Sequence, residues 1–535
     1  MKKNDAFRRA AALMAALSIT VSLAAPAFAA TYYIDNGDIT ITKDTDGKQT
    51  VQQNGTTKDD SGEIIITTRE QTISTQESDL EGPAAEDSGF GPVVEDNYQP
   101  APPAQPEDAE EPKSADQPEN TDRQEDADQP ESAEEPKAAD RQESAGQQPQ
   151  PQQAAPAAAA APAASTSNGF LRNTITVINN FANTVLNLTL KDVKIDVSDT
   201  GNEGRPSRTG KAALSVQGKG NVEIELDGEN ELKSGAYRAG LEKNNSTSAG
   251  TLTLKDNKEA GSGSLNAEGG ALSAGIGACY EEGTKNIIIT GGTVTATGGD
   301  GGAGIGGGDG GGNGKNGEAI TITGSTVTAT GKYGGAGIGG GGFDGGGNGN
   351  HITITGSTVI ATSEGVGERG NRGGAGIGGG CIGNGENIAI TGSTVTATGH
   401  FGGAGIGGGY KGSGSNVTVS GAAQVTAIAG KSNGYYGAGA TIGNGGDFTG
   451  SENVDGKEIQ ADISRVTTGY IHHIIYDPAL VSEDNPLGIV REWWEPERPQ
   501  PNPENPQPNP EDPNAPAEES NEVSLGTPGL HGETL

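Results

Sequence analysis

Residues 319–330 read AITITGSTVTAT and residues 334–341 read GGAGIGGG, and these two phrases decide the fold. In the first phrase isoleucine, valine or alanine alternates with threonine on each side of Gly324 and Ser325, which is typical of strands with one buried face. The glycines mark corners, and the second phrase provides a third short strand. The stretch therefore predicts three short strands in each repeat.

The first phrase occurs five times with small changes. The copies occupy residues 286–299, 319–332, 351–364, 387–400 and 416–430. Copies that recur roughly every 30 residues indicate a solenoid or a propeller. A common propeller blade, however, has four strands and about 40–45 residues, whereas each repeat here has three strands. We therefore predict an all-β, right-handed parallel β-helix of about eight coils, flanked by disordered acidic, proline-rich segments.

Stacking the repeats predicts which residues form the core. Small or β-branched residues at equivalent positions face inward and stack into columns. One predicted column contains Ile289, Ile322, Ile354, Ile390 and Val419, and another contains Val294, Val327, Val359, Val395 and Val425.

Composition divides the chain into five segments. We predict a signal peptide at 1–29, a short β-rich segment at 30–80, a disordered acidic Pro/Ala/Gln spacer at 81–167, the β-helix at 168–476 and a disordered tail at 477–535. Residues 81–145 carry 20 acidic and 4 basic side chains, and residues 477–535 carry 13 and 2. Most of the net charge of -36 thus lies outside the repeats.

Composition and cysteine spacing argue against nucleic-acid binding, a membrane span and a disulfide bond. Nucleic acid is disfavoured because the chain has no basic stripe. No membrane span is expected after signal cleavage, since no later apolar segment is long enough. Cys279 and Cys381 lie three repeats apart, about 14 Å at the usual strand spacing, so we predict two free thiols.

The strongest candidate site is a lattice of outward threonines on the second strand of each repeat. Strand propensity alone favours threonine at outward positions, so a purely structural role is the competing interpretation. A flat polar face also suits a glycan or ice. The candidate ligand-binding residues are Thr293, Thr295, Thr326, Thr328, Thr358, Thr394, Thr396 and Thr426.

Catalytic and metal-binding patterns are absent from the repeats. The acids there, such as Asp309, Asp344 and Glu386, occur singly in loops, whereas glycoside hydrolysis requires a pair. We predict no catalytic residues, no metal site and no cofactor. His472 and His473 are adjacent and would face opposite sides of a strand.

Aromatic residues are expected away from the threonine lattice. Tyr333, Phe343, Phe401 and Tyr410 fall in the glycine loops, and the Trp493-Trp494 pair is expected to cover the last coil.

Between Asn173 and about Gly446, phrases such as NVEIELDGENELKSG, ITGGTVTATGG and GGAGIGGG resemble glycine-rich β-helix repeat proteins of Gram-positive bacteria. Such proteins are often described as carbohydrate-binding domain-containing or cell-surface proteins. The resemblance implies no catalytic residues.

We therefore expect a non-catalytic binding or adhesion module, secreted or on the surface of a Gram-positive cell, whose partner is a glycan or cell-surface polysaccharide. The alternatives are a polysaccharide lyase or hydrolase of the β-helix type, and an ice-binding or purely structural surface protein.

Overall fold

A computed structural model describes residues 29–69 and 169–497, except 205–208, 258–262, 311–314, 343–345, 366–371, 433–434, 478–479, 483–484 and 487. The chain divides into two units, Met1–Glu70 with Ala159–Leu535, and Gln71–Ala158. Only the first unit contains described residues. The predicted signal peptide, apart from Ala29, lies outside them, as do the acidic spacer and the tail beyond residue 497.

The amino-terminal strands belong to the same sheets as the repeats. They are β1 (Ala30–Tyr33), β2 (Ile39–Lys43), β3 (Gln49–Gln53), β4 (Thr56–Asp59), β5 (Ile64–Thr67) and β6 (Ile175–Asn179), with a 3-10 turn at Ile34–Asn36. β5 pairs in parallel with the strand Val185–Lys191 of the first repeat, and β2 pairs in parallel with β6. The antiparallel β2-β3-β4 meander forms one end of its sheet.

Eight coils follow, and each contributes one strand to each of three sheets. The coils are β7 (Val185–Lys191), β8 (Lys194–Asp196) and β9 (Leu214–Gly218); β10 (Asn221–Asp227), β11 (Glu229–Lys233) and β12 (Leu241–Glu242); β13 (Leu252–Lys255), β14 (Ser264–Glu268) and β15 (Ile276–Gly277); β16 (Thr284–Thr290), β17 (Thr293–Asp300) and β18 (Ile305–Gly306); β19 (Gly317–Thr323), β20 (Thr326–Lys332) and β21 (Ile338–Gly339); β22 (Gly349–Thr355), β23 (Thr358–Glu364) and β24 (Ile377–Gly378); β25 (Gly385–Thr391), β26 (Thr394–Thr398) and β27 (Ile406–Gly407); and β28 (Gly414–Gly421), β29 (Gln424–Ile428) and β30 (Ile442–Gly443).

The chain ends in β31 (Asp447–Phe448), β32 (Asn453–Val454), β33 (Asp462–Val466), β34 (Tyr470–Tyr476) and β35 (Ile489–Glu495). Sheet 1 contains the first strand of each coil, sheet 2 the second and sheet 3 the third, with 11, 10 and 12 strands. Every coil pairs in parallel with the next. The described residues thus form the predicted all-β parallel β-helix.

The two predicted core columns are confirmed. Ile289, Ile322, Ile354, Ile390 and Val419 pair in series across sheet 1, and Val294, Val327, Val359, Val395 and Val425 do so across sheet 2. All ten side chains are buried. The alternation of apolar and polar residues therefore fixed the inward positions correctly.

A ladder of serines ties the corners between sheets 1 and 2. The Ser325 N–H donates to Ser357 Oγ at 3.3 Å, and the Ser357 N–H donates to Ser393 Oγ at 3.2 Å. The Ser357 hydroxyl in turn donates to the carbonyl oxygen of Thr355 at 2.9 Å. The phrase TGST therefore encodes a glycine corner and a hydrogen bond to the next coil.

The acidic spacer begins and ends within one coil. β5 lies in sheet 1, Leu171 bridges to Ile195 in sheet 2, and β6 lies in sheet 3. At the departure point, the Thr68 hydroxyl donates to the carbonyl oxygen of Asp192. Residues 70–168 are consequently an insertion at one corner of the β-helix, and the predicted β-rich segment at 30–80 contributes strands to the helix itself.

The carboxyl-terminal end is covered by a hairpin. β34 continues sheet 2 in parallel with β29, and β35 pairs antiparallel with β34. The tail was expected to begin at residue 477, but β35 lies beyond that residue. The ring of Trp493 on β35 stacks on the buried His473 and holds this strand against β34. The hairpin thus extends the ordered sheet past the last repeat.

Neither Cys279 nor Cys381 forms a disulfide bond, as predicted. Cys381 is buried, and burial raises the pKa of the Cys279 thiol to about 12. The Cys279 thiol is therefore protonated at neutral pH and is a poor nucleophile.

Candidate functional site

The outward side of sheet 2 presents three columns of mostly threonine side chains over β17, β20, β23, β26 and β29. We call this surface the threonine face. Its columns are Thr293, Thr326, Thr358, Thr394 and Gln424; Thr295, Thr328, Ile360, Thr396 and Thr426; and Thr297, Thr330, Thr362, Thr398 and Ile428.

The strand pairing brings all eight candidate threonines onto this one face, in the first two columns, and each is exposed or half-buried. Whether they bind a ligand stays a prediction. The third column was missed, although the same alternation continues through it in the sequence TVTAT.

Neighbouring residues within a column are separated by one strand spacing, about 4.8 Å. The three columns contain hydroxyl, methyl and amide groups and no ionisable side chain. Ile360 and Ile428 are the two apolar side chains in the array, and Ile360 is 47% exposed. The threonine face is therefore neutral and regularly spaced, and suits a repeating uncharged ligand.

The amino-terminal end of sheet 2 is charged, and its ions are paired. Lys233 Nζ lies 3.0 Å from Glu231 Oε1, and this hydrogen bond raises the pKa of Lys233. The Lys233 ammonium also lies 5.2 Å from the ring centre of Phe170. A shallow cavity of about 220 Å³ here opens beside Thr293 and is lined by hydroxyl, amide, carboxylate and ammonium groups.

The carboxyl-terminal end of sheet 2 is aromatic, which corrects the expectation that this face lacks aromatic rings. Tyr470 pairs with Gln424 and His472 pairs with Thr426, so both continue the threonine columns. The His472 ring stacks on Trp494 with centroids 4.2 Å apart and planes 7° apart. Strand pairing, which the local pattern does not encode, places these rings on the face.

His473 points to the opposite side of the same strand, as expected for adjacent residues. It is 3% exposed, and its Nδ1 lies 2.6 Å from Thr441 Oγ1. Burial, together with the nearby His472 and Arg491, lowers the pKa of His473 to about 4. The Glu495 carboxylate lies 3.9 Å from Nε2, and the half-buried Glu458 accepts hydrogen bonds from Thr441.

This buried histidine predicts an acid-sensitive carboxyl-terminal cap. A base whose folded pKa is depressed stabilises the fold fully above its unfolded value of 6.5, and this stability is lost as the pH falls from 6.5 to about 4. We expect wild type to lose up to about 3 kcal/mol more than His473→Gln between pH 7 and pH 4. Urea unfolding at pH 7 and pH 4 measures this loss of stability. The control is His351→Gln, which replaces an exposed histidine. Parallel pH profiles of wild type and His473→Gln would contradict it.

A charged ladder borders the threonine face and was not predicted. Asp300 pairs with Lys332, and Lys332 pairs with Glu364, across β17, β20 and β23. With Tyr333 they line a cavity of about 260 Å³. Lys332 is the next outward position after Thr330, so the alternation could have predicted that it faces outward. An irregularity in the pairing after Thr297 aligns Asp300 with Lys332.

The other predicted positions lie apart from this face. Phe401 and Tyr410 are buried, and Phe343 and Asp344 lie outside the described residues. Asp309 and Glu386 lie on different coils. Within the described ranges, no group of three or more His, Cys, Asp or Glu side chains is placed to hold a metal ion. In the same ranges no helix has the length and apolar character to cross a membrane.

Comparison with known proteins agrees with this geometry. A family model described as a beta helix repeat matches residues 287–309, 320–342, 352–381 and 388–410. No curated protein and no solved structure matches the chain significantly. The fold and these matches together define a parallel β-helix repeat protein.

Proposed function

We propose that this protein is an exported, non-catalytic module that binds a neutral carbohydrate polymer along the threonine face. The observation that carries the proposal is the array of three uncharged columns, which continues from the polar cavity beside Thr293 to the aromatic rings at Tyr470. Sheet 2 has ten strands, roughly 43 Å at the usual spacing, so an extended polymer could contact several coils at once.

Repeated weak contacts suit this architecture. Each coil offers the polymer the same hydroxyl and methyl groups at one strand spacing, so the binding free energy grows with the number of coils contacted. Aromatic rings at one end would add stacking against sugar rings. The resemblance to carbohydrate-binding and cell-surface proteins supports the same ligand class.

Charge substitution tests this surface. We expect the double variant Thr328→Lys, Thr396→Lys to weaken polysaccharide binding at least tenfold, about 1.4 kcal/mol, because two ammonium groups would interrupt the central column. A glycan array identifies the ligand, and isothermal titration calorimetry measures its affinity. The matched control is Thr321→Lys with Thr353→Lys, outward threonines on sheet 1. Equal losses in both double variants, or a blank array, would refute the proposal.

Export is supported by the basic, apolar and small-residue pattern of residues 1–29 and by the start of β1 at Ala30, directly after the expected cleavage site. This pattern and the resemblance support secretion or display on a Gram-positive cell. Amino-terminal sequencing of protein recovered from outside the cell should begin at Ala30, and a chain beginning at Met1 would argue against cleavage.

A polysaccharide lyase or hydrolase is the catalytic alternative. Its best location is the charged ladder, where the backbones of Asp300 and Glu364 lie two strands apart, about 10 Å along the sheet. This backbone spacing is close to the upper limit of the roughly 5–9.5 Å that separates the carboxyl groups of hydrolases. Assays for reducing sugar and for unsaturated uronide decide this alternative. Product that accumulates with time would show that the protein is an enzyme and not a binding module.

Ice binding is a second candidate because the third threonine column makes the array regular in two directions. Measurement of ice-crystal growth tests it. Growth inhibition that is lost in the Thr328→Lys, Thr396→Lys variant would favour ice over glycan.

A further inference from the structure

We propose that Tyr333 and the charged ladder of Asp300, Lys332 and Glu364 form a subsite for one neutral hexopyranose unit. The inference rests on the proposed carbohydrate binding and adds a specific place and ligand class to it.

The first argument is that no described residue forms an ion pair or a side-chain hydrogen bond with the charges of the ladder. No described side chain lies within salt-bridge distance of Lys332, and no described group hydrogen-bonds to the carboxylates of Asp300 or Glu364. At the amino-terminal end of the same sheet, by contrast, Lys194 lies 3.3 Å from Glu229 and Lys233 lies 3.0 Å from Glu231. The ladder therefore keeps one cation and two carboxylates available for a ligand.

The second argument is the shape of the site. The cavity of about 260 Å³ is lined by Asp300, Lys332, Tyr333, Glu364 and Gly365. Pockets for drug-sized ligands begin at about 300 Å³, so a single sugar ring is of suitable size. The cavity lies at the edge of the threonine face, because Lys332 follows Thr330 on the outward side of β20.

The third argument is the chemistry of the lining. An aromatic side chain can pack against the apolar face of a sugar ring. Carboxylate oxygens accept hydrogen bonds from ring hydroxyls, and the lysine ammonium donates to a hydroxyl or ring oxygen. Two carboxylates against one ammonium give a net negative site, which should reject a uronic acid.

Tyr333 has a φ of 45°, in the left-handed region where a tyrosine is strained. Backbone strain is often retained where a side chain has a functional position. Asparagine tolerates this conformation, so Tyr333→Asn removes the ring without adding backbone strain.

Saturation-transfer NMR with D-glucose, D-galactose, D-mannose and D-glucuronate tests the subsite on the full chain. We expect at least one neutral hexose to bind saturably and to lose affinity at least tenfold in Tyr333→Asn, while Tyr333→Phe retains binding. Lys332→Met should also weaken binding. The control is Tyr33→Asn, an exposed tyrosine on β1. Thermal unfolding of each variant shows whether the fold is retained.

The outcomes separate the subsite from the proposed function. Hexose binding that persists in Thr328→Lys, Thr396→Lys while polymer binding is lost supports the subsite. Hexose binding that is unchanged in Tyr333→Asn, or D-glucuronate binding as tight as that of the hexoses, overturns it even if polymer still binds the threonine face. Failure of all three neutral hexoses to bind also overturns it.

Discussion

Replacing Gly337 with alanine should destabilise the β-helix by about 3 kcal/mol. A Cβ at this position would lie 2.5 Å from the Thr362 nitrogen and 2.7 Å from the Gly376 carbonyl oxygen. Both atoms are backbone atoms of the next coil, so neither can move aside as a flexible side chain could. The backbone angle of Gly337 lies outside the left-handed region, so the effect isolates the close approach of two coils.

The matched control is Gly356→Asn at a corner. Gly356 has a φ of 56°, and a Cβ there would meet no atom within 4 Å. Asparagine tolerates this conformation, so the unfolding free energy of Gly356→Asn should remain within about 0.5 kcal/mol of wild type. Urea unfolding measures both variants. Equal stability of Gly337→Ala and Gly356→Asn would show that the coils do not pack as closely as the structure has them.

Deleting residues 30–69 should unfold or aggregate the protein, whereas deleting residues 71–158 should leave its stability unchanged within about 1 kcal/mol. The first deletion removes β1 to β5 with six buried apolar side chains, and it exposes the buried faces of β6 and β7. At about 1.5–3 kcal/mol for each buried side chain, the loss of roughly 9–18 kcal/mol matches the whole stability of a typical domain.

The second deletion removes only residues of the inserted unit, which begins after β5 and ends before β6. Soluble yield, size-exclusion chromatography and thermal unfolding measure both variants. A folded, monomeric product of the first deletion would show that the amino-terminal strands are dispensable. A large loss of stability in the second would show that the inserted unit contributes to the fold.

Local pattern predicted the repeating coil well. Alternation in AITIT and TVTAT identifies which side chains face inward, and the glycines between them identify the corners. These properties depend on residues two apart in the chain, which a strand places on the same face. The eight candidate threonines were found for the same reason.

Local pattern failed where distant segments meet. Tyr470, His472 and Trp494 join the threonine face only because β34 and β35 extend sheet 2, and no nearby residue encodes that pairing. The position of Lys332 between Asp300 and Glu364 also depends on the pairing of successive coils. An irregularity in the pairing after Thr297 aligns Asp300 with Lys332, and the local alternation of residues does not encode it.

The sequence by itself determined the repeating coil, its buried columns and its outward threonines, because alternation and turn chemistry act over a few residues. Tertiary structure decided that residues 30–67 belong to the β-helix, that the acidic segment is inserted at one corner, and that the threonine face is bordered by a charged ladder and aromatic rings. Those features arise from long-range strand pairing, which depends on the packing of whole coils against each other.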